Sequence, residues 1–475
     1  MTERAKKFLF YFTAFVIVFI GFLARLKLFI DNPSFWFDES ALGFNILELN
    51  LRELFGILHL QQIAPPFFLA SVKIIVNIFG ASDMNLRLCP FFAGNISMLI
   101  FWLALKNIYK NKLTILTGLM LFCLNVQLIK YSVEFKPYIA EVFTTCLILY
   151  IFSKINFDFS YKKLFLLGVI IATLPWFAFI SAVTASIAYL ILFSLKNYKK
   201  WLTFFAPFGI SLLIFVLYYI KVKSFYYEFM DDFWGEYFYT YKTFLSMSLK
   251  AFRFLFSAKL PFIQILFVLA GVVYYLRSKN KAFELNFSIF AIIFGIILSF
   301  LHKYPFYSRF LLYSYPLFLI IMLTIFEKIF EYKNKILTTI SLIALLIFML
   351  PATGYITSMT HQKLTKQDCA RELIEDMSNR IKPNDIILVD TLSTPDFLYY
   401  NKYFKISNPV NFNAIQKNNR LVYKYDKNIP LPINKGNKYW FFSPWGSGRY
   451  TSLKYEYQNK CEFGGRILYL NGDKQ

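Results

Sequence analysis

The chain has 475 residues, 57% of them hydrophobic and only 17% charged, with a mean hydropathy of +0.48. Soluble domains carry about a quarter charged residues, so this composition excludes an ordinary soluble globular protein and points to a polytopic membrane protein. The formal net charge of +23 falls in short loops between apolar runs, not on a basic helix with interleaved stacking residues, which argues against nucleic-acid binding.

Met1 to Lys7 is basic, and the apolar run from Phe8 to Phe22 continues without a small-residue cleavage site, which predicts an uncleaved first span. Lys/Arg triplets recur at alternate loops, from Arg4, Lys6 and Lys7 through Lys106, Lys110 and Lys112 to Lys328, Lys333 and Lys335, and mark one cytoplasmic face. Spans threaded between them number about eleven, over roughly 8–30, 84–105, 113–130, 137–153, 163–176, 178–195, 202–221, 260–277, 284–301, 309–327 and 336–353. Pro175-Trp176 predicts a tight outer turn within 163–195. An odd number of spans places the N-terminus in the cytoplasm and the C-terminus outside.

Two outer loops are long. The first, about 31–83, holds an interrupted apolar stripe over Ala41 to Leu58 and an apolar stretch over Pro65 to Phe79, both expected to be helices lying in the membrane interface. The second, about 222–259, is an aromatic loop of mixed charge with Asp231, Asp232, Trp234 and Glu236. Beyond about residue 355 the composition turns polar. Thr365 to Ile381 reads as a capped amphipathic helix, and Asp385 to Asp390, Lys438 to Ser443 and Arg466 to Leu470 read as strands. The expected organisation is a membrane domain over 1–354 and a small extracytoplasmic α/β domain over 355–475. The five cysteines show no metal-ligand spacing; Cys89, Cys123 and Cys146 read as core residues, while Cys369 and Cys461 of the tail have a disulfide open to them in an oxidising compartment.

The chemistry-bearing residues gather at the outer ends of the predicted spans. Asp38 and Glu39 stand in the aromatic setting Phe35-Trp36-Phe37-Asp38-Glu39-Ser40, just after the first span, where carboxylates are costly and usually functional. Glu134 and Lys136 lie in the turn Tyr131–Tyr138 with Lys130 just before it, and Lys303 and Arg309 lie in His302–Phe310. A carboxylate facing cations at this depth suits a particular kind of transfer, in which the acid takes a proton from an attacking hydroxyl while the cations hold a departing phosphate. Glu134 is a candidate second acid. Simpler readings stand beside these: a cap for the interfacial helix starting near Ser40 for Asp38, a solvated first-turn acid for Glu39, ion pairing with Lys130 or Lys136 for Glu134, and interface snorkelling for Arg309. Asp231 and Asp232 read as a surface loop rather than metal ligands.

Phe37-Asp38-Glu39-Ser40, Pro65-Pro66-Phe67-Phe68, Phe79-Gly80-Ala81-Ser82, Leu86-Arg87-Leu88-Cys89-Pro90, the Tyr131–Tyr138 turn and Arg309-Phe310-Leu311-Leu312 with Pro316 occur in an order and spacing that resemble a known family. This family is the polyprenyl-phosphate-sugar-dependent membrane glycosyltransferases of the GT-C fold, in particular the bacterial relatives of protein mannosyltransferases and aminoarabinose transferases. The likeness covers most of residues 1–320. It implies a GT-C-like helical membrane fold in the bacterial inner membrane and inverting sugar transfer from a polyprenyl phosphate to an acceptor glycan, lipid or protein. Asp38 then matches the general base, Glu39 its orienting neighbour and Arg309 the donor-phosphate ligand; beside that match, Lys303 and Lys136 are candidate phosphate contacts by their place in the outer turns. Gln62 and Arg87 are candidate acceptor or donor contacts; Leu-Cys-Pro replaces the usual Leu-Pro after Arg87, which bears on that residue's role. The resemblance favours no cofactor and no metal. Two other functions share these features: a transporter or flippase for lipid-linked sugars, and a polymerase or ligase joining whole lipid-linked glycans.

Overall fold

A computed structural model describes residues 2–225, 235–257, 261–279, 282–332, scattered positions between 336 and 354, 369–411, 414–417, 420–423, 437–444, 455–460 and 466–471. In chain order its helices are α1 Glu3–Asp31, α2 Phe37–Glu48, α3 Pro66–Phe79, α4 Asp83–Ile108, α5 Lys112–Cys123, α6 Val126–Tyr131, α7 Tyr138–Lys154, α8 Tyr161–Phe177, α9 Ser181–Ile191, α10 Tyr198–Phe225, α11 Phe244–Leu255, α12 Phe262–Arg277, α13 Phe283–Phe300, α14 Tyr315–Glu331, α15 Ala370–Ser378 and α16 Thr394–Phe404. The chain divides into two compact units. One comprises Met1–Phe29, Pro65–Phe68 and Leu88–Thr360; the other comprises Ile30–Ala64, Leu69–Arg87 and His361–Gln475.

The first unit is helical. Among the described residues five helices are long and apolar enough to cross a bilayer: Glu3–Asp31, Asp83–Ile108, Leu195–Val222, Phe283–Phe300 and Ser308–Glu331. Shorter apolar helices lie over the other predicted spans, and the last expected span, 336–353, falls largely outside the described residues. Two local causes break the predicted runs. Asn125 interrupts 113–130: its side chain accepts from Leu128 N–H at 3.0 Å to start α6 and donates to the Leu255 carbonyl at 2.7 Å. The turn expected at Pro175-Trp176 comes later, because Pro175 stays inside the last turn of α8 and the chain leaves the helix at Ala178. Part of the loop expected over 222–259 is helical: α11 buries Met247, Ala251 and Leu255, spaced four apart on one face. Asp231, Asp232 and Trp234 lie outside the described residues.

The second unit builds on a five-stranded sheet, with β1 Ile386–Val389, β2 Val410–Asn411, β5 Lys438–Ser443, β6 Tyr457–Lys460 and β7 Arg466–Asn471 in the order β2-β1-β5-β7-β6; β3 Ala414–Lys417 and β4 Arg420–Tyr423 pair separately. β1 runs parallel to β2 and β5, and β7 runs antiparallel to β5 and β6. Leu388, Tyr439, Phe441, Leu468 and Leu470 form its core. The three predicted strands are present; the α16 helix and strands β2, β3, β4 and β6 are additions. The predicted helix over 365–381 is described from Ala370 to Ser378. The stripe expected as one helix over Ala41 to Leu58 begins earlier and stops at Glu48, where the Leu49 N–H closes on the Asn45 carbonyl in extended backbone. Cys369 is disulfide-bonded; Cys461 lies outside the described residues.

Candidate active-site residues

In the second unit, Asn32 takes a left-handed φ of 42° and turns the chain out of α1 into the segment that starts α2. Trp36 occupies the N-cap position, so Asp38 and Glu39 fall within the first helical turn, where the helix dipole favours negative charge. Their fates differ. Asp38 is partly exposed, whereas Glu39 is buried in a forked pair with Arg87: Nε to Oε1 at 3.0 Å and Nη2 to Oε2 at 2.8 Å. The same guanidinium donates from Nη1 to the Pro33 carbonyl at 2.6 Å and to Asn32 Oδ1 at 3.1 Å, and lies 4.5 Å from the centre of the Phe35 ring. Arg87 therefore holds the whole approach to α2.

The far side of α2 is tied just as closely. Asn45 donates to the His59 carbonyl at 3.1 Å and accepts from His59 N–H at 2.6 Å, and Lys73 Nζ donates to the Ile46 carbonyl at 2.6 Å, a cation at a helix C-terminus. Leu60 and Gln61 both take left-handed φ angles, 56° and 53°, and the buried Gln62 donates to the Leu60 carbonyl at 3.3 Å. Asp83, at the first turn of α4, gathers four groups that no local sequence signal announced: Arg371, Tyr399, Tyr400 and, through Tyr399, Tyr403. Burial, and then the Asp83 charge, push the Tyr399 and Tyr400 phenols well above their ordinary range, so both remain donors; burial likewise raises Tyr403 to about 12.

In the first unit, Lys130 stands in the last turn of α6, and the turn between α6 and α7 carries Glu134 and Lys136. Lys136 is buried, and its N–H bonds the Glu134 carbonyl at 2.7 Å. Ser132 anchors the turn: its hydroxyl accepts from Arg25 Nε at 3.1 Å and donates to the Leu128 carbonyl, and a Cβ on Gly94 would overlap it. Arg25, wholly buried in α1, also donates to the Gly21 and Cys123 carbonyls at 2.9 and 2.8 Å. Lys303 is exposed. Arg309 lies in the 3-10 turn Ser308–Ser314 before α14, its guanidinium 5.4 Å from the Tyr138 ring centre. Tyr138 follows Lys136 by two residues, so the Lys136 turn and Arg309 are brought to one end of α7.

One turn along α7, Glu141 is the residue that sequence reasoning missed here. It is buried and accepts from Tyr304 O–H at 3.1 Å, and that hydroxyl lies 3.3 Å from the Phe310 carbonyl. A lone carboxylate in the apolar run Tyr138–Lys154 was the available signal. Among the described residues no group of three or more His, Cys, Asp or Glu side chains is placed to hold a metal ion.

No protein-family model and no curated protein sequence matches the chain. Solved structures do. The chain is similar to ArnT from Cupriavidus metallidurans bound to undecaprenyl phosphate, with a TM-score of 0.58, 10% identity and 98% of each chain covered. It is also similar to the Archaeoglobus fulgidus oligosaccharyltransferase in the apo form, with a TM-score of 0.52, 11% identity, and 82% of this chain and 63% of that one covered. Both neighbours are GT-C membrane glycosyltransferases, and the chain has their fold.

Proposed function

We propose that this protein is an inverting membrane glycosyltransferase that moves a sugar from a polyprenyl phosphate to an acceptor hydroxyl on the extracytoplasmic side. The observation that carries this reading is the end-to-end fold likeness to ArnT bound to undecaprenyl phosphate. Asp38, in the first turn of α2, and Arg309, in the 3-10 turn before α14, are the acid and the cation that this reading assigns. Asp38 takes the proton of the acceptor hydroxyl as its oxygen attacks the anomeric carbon. The bond from that carbon to the phosphate oxygen breaks with inversion, and polyprenyl phosphate leaves. Arg309, with Lys303 or Lys136, offsets the charge that develops on the phosphate. Glu39 acts through Arg87 by fixing the turn that carries Asp38. Glu134 is a second acid beside Lys136, and Gln62 a contact for the acceptor.

The disulfide-bonded state of Cys369 fits an oxidising compartment for the C-terminal part. Together with the basic triplets of alternate loops, it supports our reading of a cytoplasmic N-terminus and about eleven spans in a bacterial inner membrane. No metal is assigned a role.

The test uses purified protein in nanodiscs with radiolabelled polyprenyl-phosphate sugars, following release of polyprenyl phosphate with and without a chelator. A positioned general base contributes typically ~10²–10⁴ in rate, so Asp38→Asn is expected to lose turnover by that factor while keeping wild-type expression and melting. Near-wild-type turnover in this variant would remove Asp38 from the role. No release from any donor, with donor binding untouched by the substitution, would instead favour a transporter of lipid-linked sugars.

A further inference from the structure

The segment Asn32–Phe35, which delivers the chain into α2 just before Asp38 is reached, is gripped by side chains from the C-terminal part of its own unit. Tyr400 Oη accepts from the Phe35 N–H at 2.7 Å, lies 3.3 Å from Ser34 Oγ and donates to Asp83 Oδ2 at 3.0 Å. Arg371 donates its backbone N–H to Ser34 Oγ at 3.0 Å, Nη2 to the Asn32 carbonyl at 3.0 Å and Nη1 to Asp83 Oδ2 at 2.9 Å. Tyr399 donates to Asp83 Oδ1 at 2.8 Å and stacks on the Phe35 ring with centres 5.0 Å apart. Opposite its ring stands Gly43 on α2, where a Cβ would come within 2.7 Å of Tyr399 Cε2. Asp83, Tyr399 and Tyr400 are all buried.

The hydrogen bonding closes on itself. With the Tyr399 and Tyr400 protons directed at Asp83, the Tyr400 oxygen is left to accept from Phe35 and Ser34, and the Ser34 oxygen to accept from Arg371. The Tyr399, Tyr400 and Ser34 hydroxyls and the Phe35 and Arg371 amides then each have an acceptor, and a buried polar network satisfied in this way favours one geometry. Such a network is costly to assemble and does little for a surface loop. It stands where the position of one carboxylate matters.

We propose that Tyr400, Arg371 and Asp83 are positioning residues for Asp38: the C-terminal part sets the aim of the catalytic helix. The inference rests on the transferase reading above. A displacement of the reacting groups by about 1 Å costs on the order of a hundredfold in rate, so the expected effect falls on kcat, with donor KM nearly unchanged.

The test compares wild type with Tyr400→Phe, Asp83→Asn and Arg371→Lys in nanodiscs, with Arg380→Ala as a control elsewhere in the same unit. Two quantities are read: the kinetics of polyprenyl-phosphate release, and amide hydrogen exchange in peptides covering residues 34–40. The expected result is a fall in kcat of roughly ten- to a hundredfold with donor KM within about twofold, and faster exchange in Tyr400→Phe, which leaves the Phe35 amide without its acceptor. Arg380→Ala should match wild type in both. Unchanged exchange, or faster exchange with unchanged kcat in an active wild type, overturns the proposal. So does an equal loss in Arg380→Ala. A wild type that releases nothing from any donor overturns the transferase reading alone, and the exchange rates still decide whether the cluster fixes the segment.

Discussion

Glu39 and Arg87, 48 residues apart in sequence, meet as a forked carboxylate–guanidinium pair with contacts of 3.0 and 2.8 Å and side chains no more than 3% exposed. Adjacent acids in the sequence thus have different surroundings: Glu39 is buried against a cation, and Asp38 is partly exposed.

Breaking one half of a buried pair typically costs ~3–5 kcal/mol because it strands the other charge, whereas an apolar replacement of both is often near neutral. Glu39→Gln and Arg87→Met should each lower the melting temperature and the yield of folded protein. Glu39→Met combined with Arg87→Met should recover much of that stability. A double variant less stable than either single variant would show that the pair is not what these residues contribute. Asp38→Asn, by contrast, should leave melting unchanged.

Arg309 lies 5.4 Å from the centre of the Tyr138 ring, a cation–π contact made more often by a guanidinium than by an ammonium. Arg309→Ala is expected to raise donor KM at least about tenfold, the scale of ~1.4 kcal/mol, with Arg309→Lys in between. Titration with polyprenyl phosphate, the leaving group of the proposed reaction, reads this directly. Equal affinity in wild type and Arg309→Ala would take the phosphate role from this residue.

Glu141 and Tyr304 hold the segment that carries Arg309 against α7. A hydrogen bond of this kind contributes about 1 kcal/mol net, so Tyr304→Phe and Glu141→Gln should each loosen Tyr304–Ser314 modestly, and the double variant by less than the sum of the two. Limited proteolysis and hydrogen exchange over this segment measure the coupling. Additive effects would mean that the two side chains act independently.

Asp376 of α15 is partly buried, which alone would raise its carboxyl. Hydrogen bonds from Arg380 Nε at 2.8 Å, Asn459 Nδ2 at 3.0 Å and Tyr457 Oη at 2.8 Å outweigh that penalty and hold it below the ordinary carboxylate range. A depressed folded-state value means that the unfolded chain binds the proton first as the solution is acidified. The contribution is therefore complete above the unfolded value of about 3.9 and is lost as pH falls through the lower folded one. Melting of the wild type followed from pH 6 to pH 2 should fall more steeply than that of Asp376→Asn, and parallel curves would refute the assignment.

The membrane class was legible in composition, because apolar runs long enough to cross a bilayer have few other uses. The strands Ile386–Val389 and Lys438–Ser443 were legible as short apolar runs rich in branched and aromatic residues. Helix α11 was not, since its buried residues lie among aromatic and polar ones that read as loop. The Asp38-Glu39 pair stood out because acids beside a span are rare, and the sequence alone distinguished candidate chemistry at that point. It had no means of telling which of the two would be buried against a cation and which would stay partly exposed. That depended on Arg87, brought from another helix, just as the role of Asp83 depended on Arg371 and Tyr399, which lie 288 and 316 residues away. Local patterning is written in neighbouring residues, whose periodicity dictates helix or strand. The partner of a buried charge is chosen only when the chain closes, because desolvation forces each charged group to pair with the opposite charge or the hydrogen-bonding group that the tertiary fold carries to it.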